Sequence, residues 1–196
     1  LPLGLYFLQN PADFMGRTSQ VSIFGSENPA LAVSVNTAKT VGMLNFLGDN
    51  NWRHNAAGRP ELFWPVGMVF WIGGALGLGT IFKKRMWLSS TELEELPGLK
   101  FAYLLCFAWI ALAALPVVFS NEGIPHALRA ILMIPPIMIL AAAGGVKLYE
   151  WILRRLPQHT RLFQATALII LSLLAFEGTY TYFITWGHSP HVQGAF

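Results

Sequence analysis

Four long apolar runs constrain this chain more than any other feature. Residues 62–82, 101–119, 128–151 and 162–184 each come close to the ~20 residues that a helix needs to cross bilayer hydrocarbon. Backbone N–H and C=O groups find no water there, so each run has to satisfy them within a helix. Composition agrees: 54% of the 196 residues are hydrophobic and 12% are charged, whereas a soluble domain carries about 25% charged residues. The expected fold is all-α, a polytopic transmembrane helix bundle with four complete spans. Residues 1–8 are apolar and end at Gln9-Asn10-Pro11, which reads as the tail of a fifth span. The chain opens Leu1-Pro2-Leu3 with no signal peptide visible, and the expectation is a C-terminal part of a longer protein.

Within the runs, Gly73 and Gly77 form a small-xxx-small pair of the kind that lets membrane helices approach closely. Pro135-Pro136 predicts a kink in the third span. Lys147 is placed to snorkel toward the surface. Residues 86–100, with Glu92, Glu94 and Glu95, read as a solvated loop. Cys106 is the single cysteine, so no intrachain disulfide forms, and its position in an apolar run suits a small buried side chain.

The polar groups lie between the runs. Residues 9–61 form a mixed region in which Asn28 suits a helix cap, Pro29 its first position and Gly48 its exit. Leu31, Val35, Ala38, Val41 and Leu44 recur at helical spacing, so residues 29–47 are expected to form an amphipathic helix. It either lies on the membrane surface or packs on other helices. Residues 48–60 are turn-rich and carry Asp49, Trp52, Arg53 and His54. Trp52 suits stacking on a sugar ring or a place at headgroup level.

Residues 120–129 are a polar island between two apolar runs. They contain Glu122, Gly123, Pro125, His126 and Arg129. A helix opening at Pro125 would put His126 and Arg129 on one face and aim unpaired N–H groups outward, an arrangement that favours an anion. The alternative is a loop whose polar residues simply solvate a helix end.

Basic residues cluster at 83–85, 100, 147 and 154–161. By the positive-inside rule these ends face the cytoplasm, so residues 9–61, 120–129 and 185–196 are expected on the other side. Glu177 lies in the fourth run near its outer end. It is either an intramembrane functional carboxylate, with Arg129 as a candidate partner, or a group reaching the interface among Tyr180 and Tyr182. No basic block suggests nucleic acid.

Residues 121–130, Asn-Glu-Gly-Ile-Pro-His-Ala-Leu-Arg-Ala, followed by Pro135-Pro136, resemble a stretch of bacterial membrane glycosyltransferases of the GT-C superfamily, in the dolichyl-phosphate-mannose protein mannosyltransferase-like branch. Similar too are Phe14-Met15-Gly16-Arg17 with Gln20 through Phe24 and Glu27-Asn28-Pro29, and Gly48-Asp49 through Asn55 with Gly58-Arg59-Pro60. The end, from Tyr182-Phe183 through Trp186 to Phe196, resembles the same group. The resemblance implies a polyprenyl- or dolichyl-phosphate-linked sugar donor, a membrane lipid partner, and a site facing away from the cytoplasm of a bacterial or archaeal plasma membrane. It also implies that the catalytic acid lies upstream, so that the segment is inactive alone. Arg129, His126, Glu122, Arg53, His54, Asp49 and Trp52 are the expected substrate- and phosphate-facing residues. Acceptor and sugar stay open. No ligand spacing marks a metal, although His54 and His126 would be the donors if a divalent ion were required. The competing class is a transporter or a scaffold subunit of an envelope-polysaccharide system. A transporter should place several polar groups at mid-membrane.

Overall fold

The computed structural model describes residues 2–13, 15–16, 22–82 and 90–194, apart from the side chains of residues 90–96. Phe14, Arg17, Gln20 and Val21, the basic Lys83-Lys84-Arg85 run and the side chains of Glu92, Glu94 and Glu95 lie outside these. In chain order the helices are α1 (Pro2–Gln9), α2 (Pro29–Asn45), α3 (Trp64–Phe82), α4 (Ser90–Val118), α5 (Ile134–Arg155), α6 (Thr160–Tyr180) and α7 (Pro190–Gln193). Short 3-10 turns precede α5 and α6, and a π-helical segment, Thr181–Trp186, follows α6. Four segments are long and apolar enough to cross a membrane: Trp64–Phe82, Pro97–Val118, Ile131–Arg155 and Pro157–Trp186. The fold is the expected all-α bundle of an integral membrane protein. No strand forms among the described residues. Their one isolated bridge joins Ser22 to Ser120.

Two boundaries differ from expectation. Residues 90–100 are helical and extend α4 toward its N-terminus. Glu92, Glu94 and Glu95 fall in the first turns, where acidic residues favour a helix start. The third span begins at a 3-10 turn, Ile131–Met133, and becomes α-helical at Ile134 rather than at Leu128. Pro135 and Pro136 therefore sit in the first turn of α5, where a missing N–H costs nothing. They open the helix and do not kink it.

The bundle centre is the α3–α5 crossing. A Cβ on Gly73 would sit 1.8 Å from the Leu140 carbonyl oxygen, and one on Gly144 would sit 2.0 Å from that of Val69. Only glycine allows this backbone approach, which replaces the hydrophobic drive that helices lack in lipid. Around it Phe70, Tyr103, Cys106, Val117, Met133, Ile137 and Leu140 are buried. By contrast α6 buries no residue along its length.

Helix α2 starts as predicted: the Asn28 side-chain oxygen accepts the Leu31 N–H at 3.1 Å, and Pro29 follows it. Its buried side is unexpected. Asn36, Thr40, Met43 and Leu44 face inward, while Leu31, Val35 and Val41 are exposed. The reason lies at the end of α4, whose last carbonyls need donors. The Asn36 side-chain amide supplies them, donating to the carbonyls of Val118 at 3.0 Å and Ser120 at 2.8 Å. Helix α2 thus packs with a mixed face, Asn36 and Thr40 beside Met43 and Leu44, and turns Leu31, Val35 and Val41 outward.

Candidate functional site

The 48–60 loop is built by its own backbone. Gly48 N–H donates to the Gly58 carbonyl at 3.2 Å, and Gly58 N–H returns to that of Asp49 at 2.8 Å. Gly58 takes φ +75°, and a Cβ on Gly48 would strike the Arg59 carbonyl, so glycine is needed at both ends. Asp49 is buried at 4% exposure. Its Oδ1 accepts the Asn51 N–H at 2.8 Å, a side-chain turn typical of Asp. Beyond the loop, Glu61 and Leu62 N–H groups donate to the Met43 and Leu44 carbonyls at 3.0 and 2.9 Å. These bonds pin the loop to the end of α2.

The 120–129 island folds against this loop without forming the expected helix at Pro125. Gly123 adopts φ +60° and the Ile124–Pro125 peptide is cis. Two amides of the segment already have side-chain acceptors. Ala127 N–H donates to Asp49 Oδ2 at 2.9 Å, and Arg129 N–H to His126 Nδ1 at 3.4 Å. The anion site at a Pro125 helix end is therefore not formed. The Arg129 guanidinium bonds the Ser120 hydroxyl and, at 3.1 Å, the Glu122 carbonyl, bracing the island from within.

The two loops bring Asp49, His54 and His126 together. His54 Nδ1 lies 2.6 Å from Asp49 Oδ2, and the His54 and His126 rings stack with centroids 4.4 Å apart. One ligand atom from each of the three residues lies within 4.8 Å of the others. Burial, then the neighbouring Arg129 and His54 charges, hold the His126 imidazole below its usual pKa.

The remaining expected residues are dispersed around this point. Trp52 stacks on His191, centroids 5.1 Å apart, and its carbonyl accepts the Trp186 indole N–H at 2.8 Å. One face of the Trp52 ring is thereby occupied by the C-terminal segment. Arg53 is exposed on the loop surface, its backbone N–H donating to Asn51 Oδ1 at 3.0 Å. Glu122 is exposed and contributes its carbonyl.

Glu177 does not meet Arg129. Its carboxylate pairs with Arg59 and accepts the Thr181 hydroxyl at 3.0 Å. Arg59 follows the positive-φ Gly58 at the foot of the 48–60 loop, which aims it at α6, whereas Arg129 is held by its own island. The pair lines a cavity of about 310 Å³ between the loop, α5 and α6. His54, Glu61, Met138, Leu174, Tyr182 and Trp186 also line it.

Glu61 is a second acidic residue here that residue-type reasoning passed over. Its Oε2 accepts the Asn55 amide at 3.2 Å, while its buried Oε1 makes no hydrogen bond of good geometry. Burial pushes its carboxyl pKa up, partly offset by the Asn55 hydrogen bond and the Asp49 backbone N–H. An acidic residue immediately ahead of an apolar run was the available signal. Nothing in the local sequence marked Arg59 as the partner of Glu177.

Comparison with protein-family models, with curated proteins and with solved structures returned no match to this chain.

Proposed function

We propose that this chain is the C-terminal part of a membrane glycosyltransferase that moves a sugar from a polyprenyl- or dolichyl-phosphate donor to an acceptor on the non-cytoplasmic face. The observation that carries the reading is the convergence of Asp49, His54, His126 and Arg129 at one end of the bundle, beside a cavity walled by Arg59 and Glu177. The cavity joins a polar wall from the loops to apolar Met138 and Leu174 of the membrane helices. That combination suits an amphiphile with a charged head and a hydrocarbon tail.

In the reaction the acceptor hydroxyl oxygen bonds to the anomeric carbon. The bond from that carbon to the phosphate oxygen breaks, and the phosphate keeps the electron pair. The hydroxyl proton passes to a base expected upstream of this segment. Arg129 and Arg59 supply fixed positive charge for the leaving phosphate, worth most where water is excluded. His54, which lines the cavity, orients sugar hydroxyls, and Asp49 fixes its imidazole. Among the described residues the Arg59–Glu177 pair lies where the last span meets the loops, which favours a surface transferase over a transporter with polar groups at mid-membrane.

The test is incubation of the full-length protein with a polyprenyl-phosphate hexose, following release of polyprenyl phosphate. Arg129→Ala should slow release by about 10²–10³-fold with helix content unchanged by circular dichroism. Release at the parental rate by both Arg129→Ala and Arg59→Ala would remove the phosphate assignment.

A further inference from the structure

We infer that Asp49, His54 and His126 form a binding site for a divalent first-row transition-metal ion of the zinc class. The donor set comes first: two imidazoles and one carboxylate, with a ligand atom from each inside 4.8 Å. Imidazole nitrogens select zinc, iron or cobalt over magnesium and calcium, which prefer all-oxygen shells. With metal–ligand bonds of about 2.0–2.2 Å, an ion needs the longest of these separations to shorten and His54 Nδ1 and Asp49 Oδ2, now 2.6 Å apart, to part slightly. Three protein ligands leave a position for water or substrate, the pattern of catalytic rather than structural zinc.

Second, Asp49 already has the outer hydrogen bonds that orient a metal ligand. Asp49 is fixed by the Asn51 and Ala127 N–H groups. Third, Glu61 stands beside the group. It feels the charges of Asp49 and His54, and the Asp49 backbone N–H also acts on its buried carboxyl. The ion would replace the proton now held between His54 Nδ1 and Asp49 Oδ2, and that proton leaves to solvent. It would also clamp the 48–60 loop to the 120–129 island. The site stands whether or not the chain transfers a sugar.

The experiment uses the detergent-purified full chain, stripped with EDTA and titrated with Co²⁺, then with Zn²⁺. The expected result is one Co²⁺ per chain, seen in its visible absorption and displaced by Zn²⁺. Affinity should fall by at least about tenfold in His126→Ala and in Asp49→Asn, and stay unchanged in His159→Ala at the other end of the bundle. X-ray absorption of the zinc-loaded parent should give a nitrogen/oxygen shell with imidazole scattering, a readout that needs no variant to fold. Absence of stoichiometric binding, equal binding by the variants, or a shell without imidazole would overturn the site and leave His54–Asp49 as a hydrogen-bonded pair alone.

Discussion

Arg59 and Glu177, 118 positions apart in sequence, form the ion pair that ties the last membrane helix to the loop after α2. Because α6 buries no residue of its own, its position depends on such contacts at its ends. Both side chains are 28% exposed, so the pair is neither fully screened nor fully desolvated.

Removing one partner of that pair should loosen α6. Glu177→Ala or Arg59→Ala is expected to cost about 1–3 kcal/mol, between the values for exposed and buried pairs. Thermal unfolding in detergent measures it. The double variant Arg59→Met/Glu177→Met should recover part of the loss, since no charge is left unpaired. Simple additivity of the single effects would mean that the pair does not couple.

The α3–α5 crossing gives a sharper contrast. Gly73→Ala drives a methyl into the Leu140 carbonyl, and Gly144→Ala into that of Val69. Each should destabilise by about 1–3 kcal/mol or more, as overpacking does. Gly74→Ala meets nothing within 4 Å and should be neutral or slightly stabilising. Equal unfolding temperatures for Gly73→Ala and Gly74→Ala would contradict the packing.

Asn36→Leu keeps the branched shape but removes the donor to the Val118 and Ser120 carbonyls. A loss of about 1–3 kcal/mol is expected from leaving buried acceptors unpaired. Hydrogen exchange should quicken at residues 118–123 first, where α4 ends. Uniform quickening over the whole chain would assign Asn36 a global role instead.

Glu61 sets a pH dependence in protein kept metal-free with EDTA. Its folded pKa is raised above the ordinary 4.5 by burial, so the native state binds the proton more tightly than the unfolded chain. Its contribution to stability is full below about 4.5 and is lost as pH rises through the folded value. Glu61→Gln, which carries no titrating proton, should flatten that limb of the unfolding-temperature curve. An identical curve for parent and variant would assign the slope to another group.

The local readings that succeeded rest on chemistry acting within a few residues. Asn28-Pro29 begins a helix because the cap and the proline act on the turn that holds them. Gly73 serves close packing because its missing Cβ matters wherever a neighbour approaches. Local signals misled where a distant group changed what was favourable. The 120–129 island made no helix at Pro125, since Asp49 takes the Ala127 amide. Helix α2 turned Asn36 inward, since the end of α4 lacked donors.

Hydrophobic run length alone determined that this chain crosses a membrane as helices, because unpaired backbone is intolerable in hydrocarbon. Residue types alone nominated Asp49, His54, His126 and Arg129. Only the tertiary structure decided that Asp49 and His126 meet, that Glu177 takes Arg59 rather than Arg129, and that Glu61 joins them. Those outcomes depend on how loops from separate hairpins dock, and docking geometry is set by packing and hydrogen bonds between residues far apart in the chain.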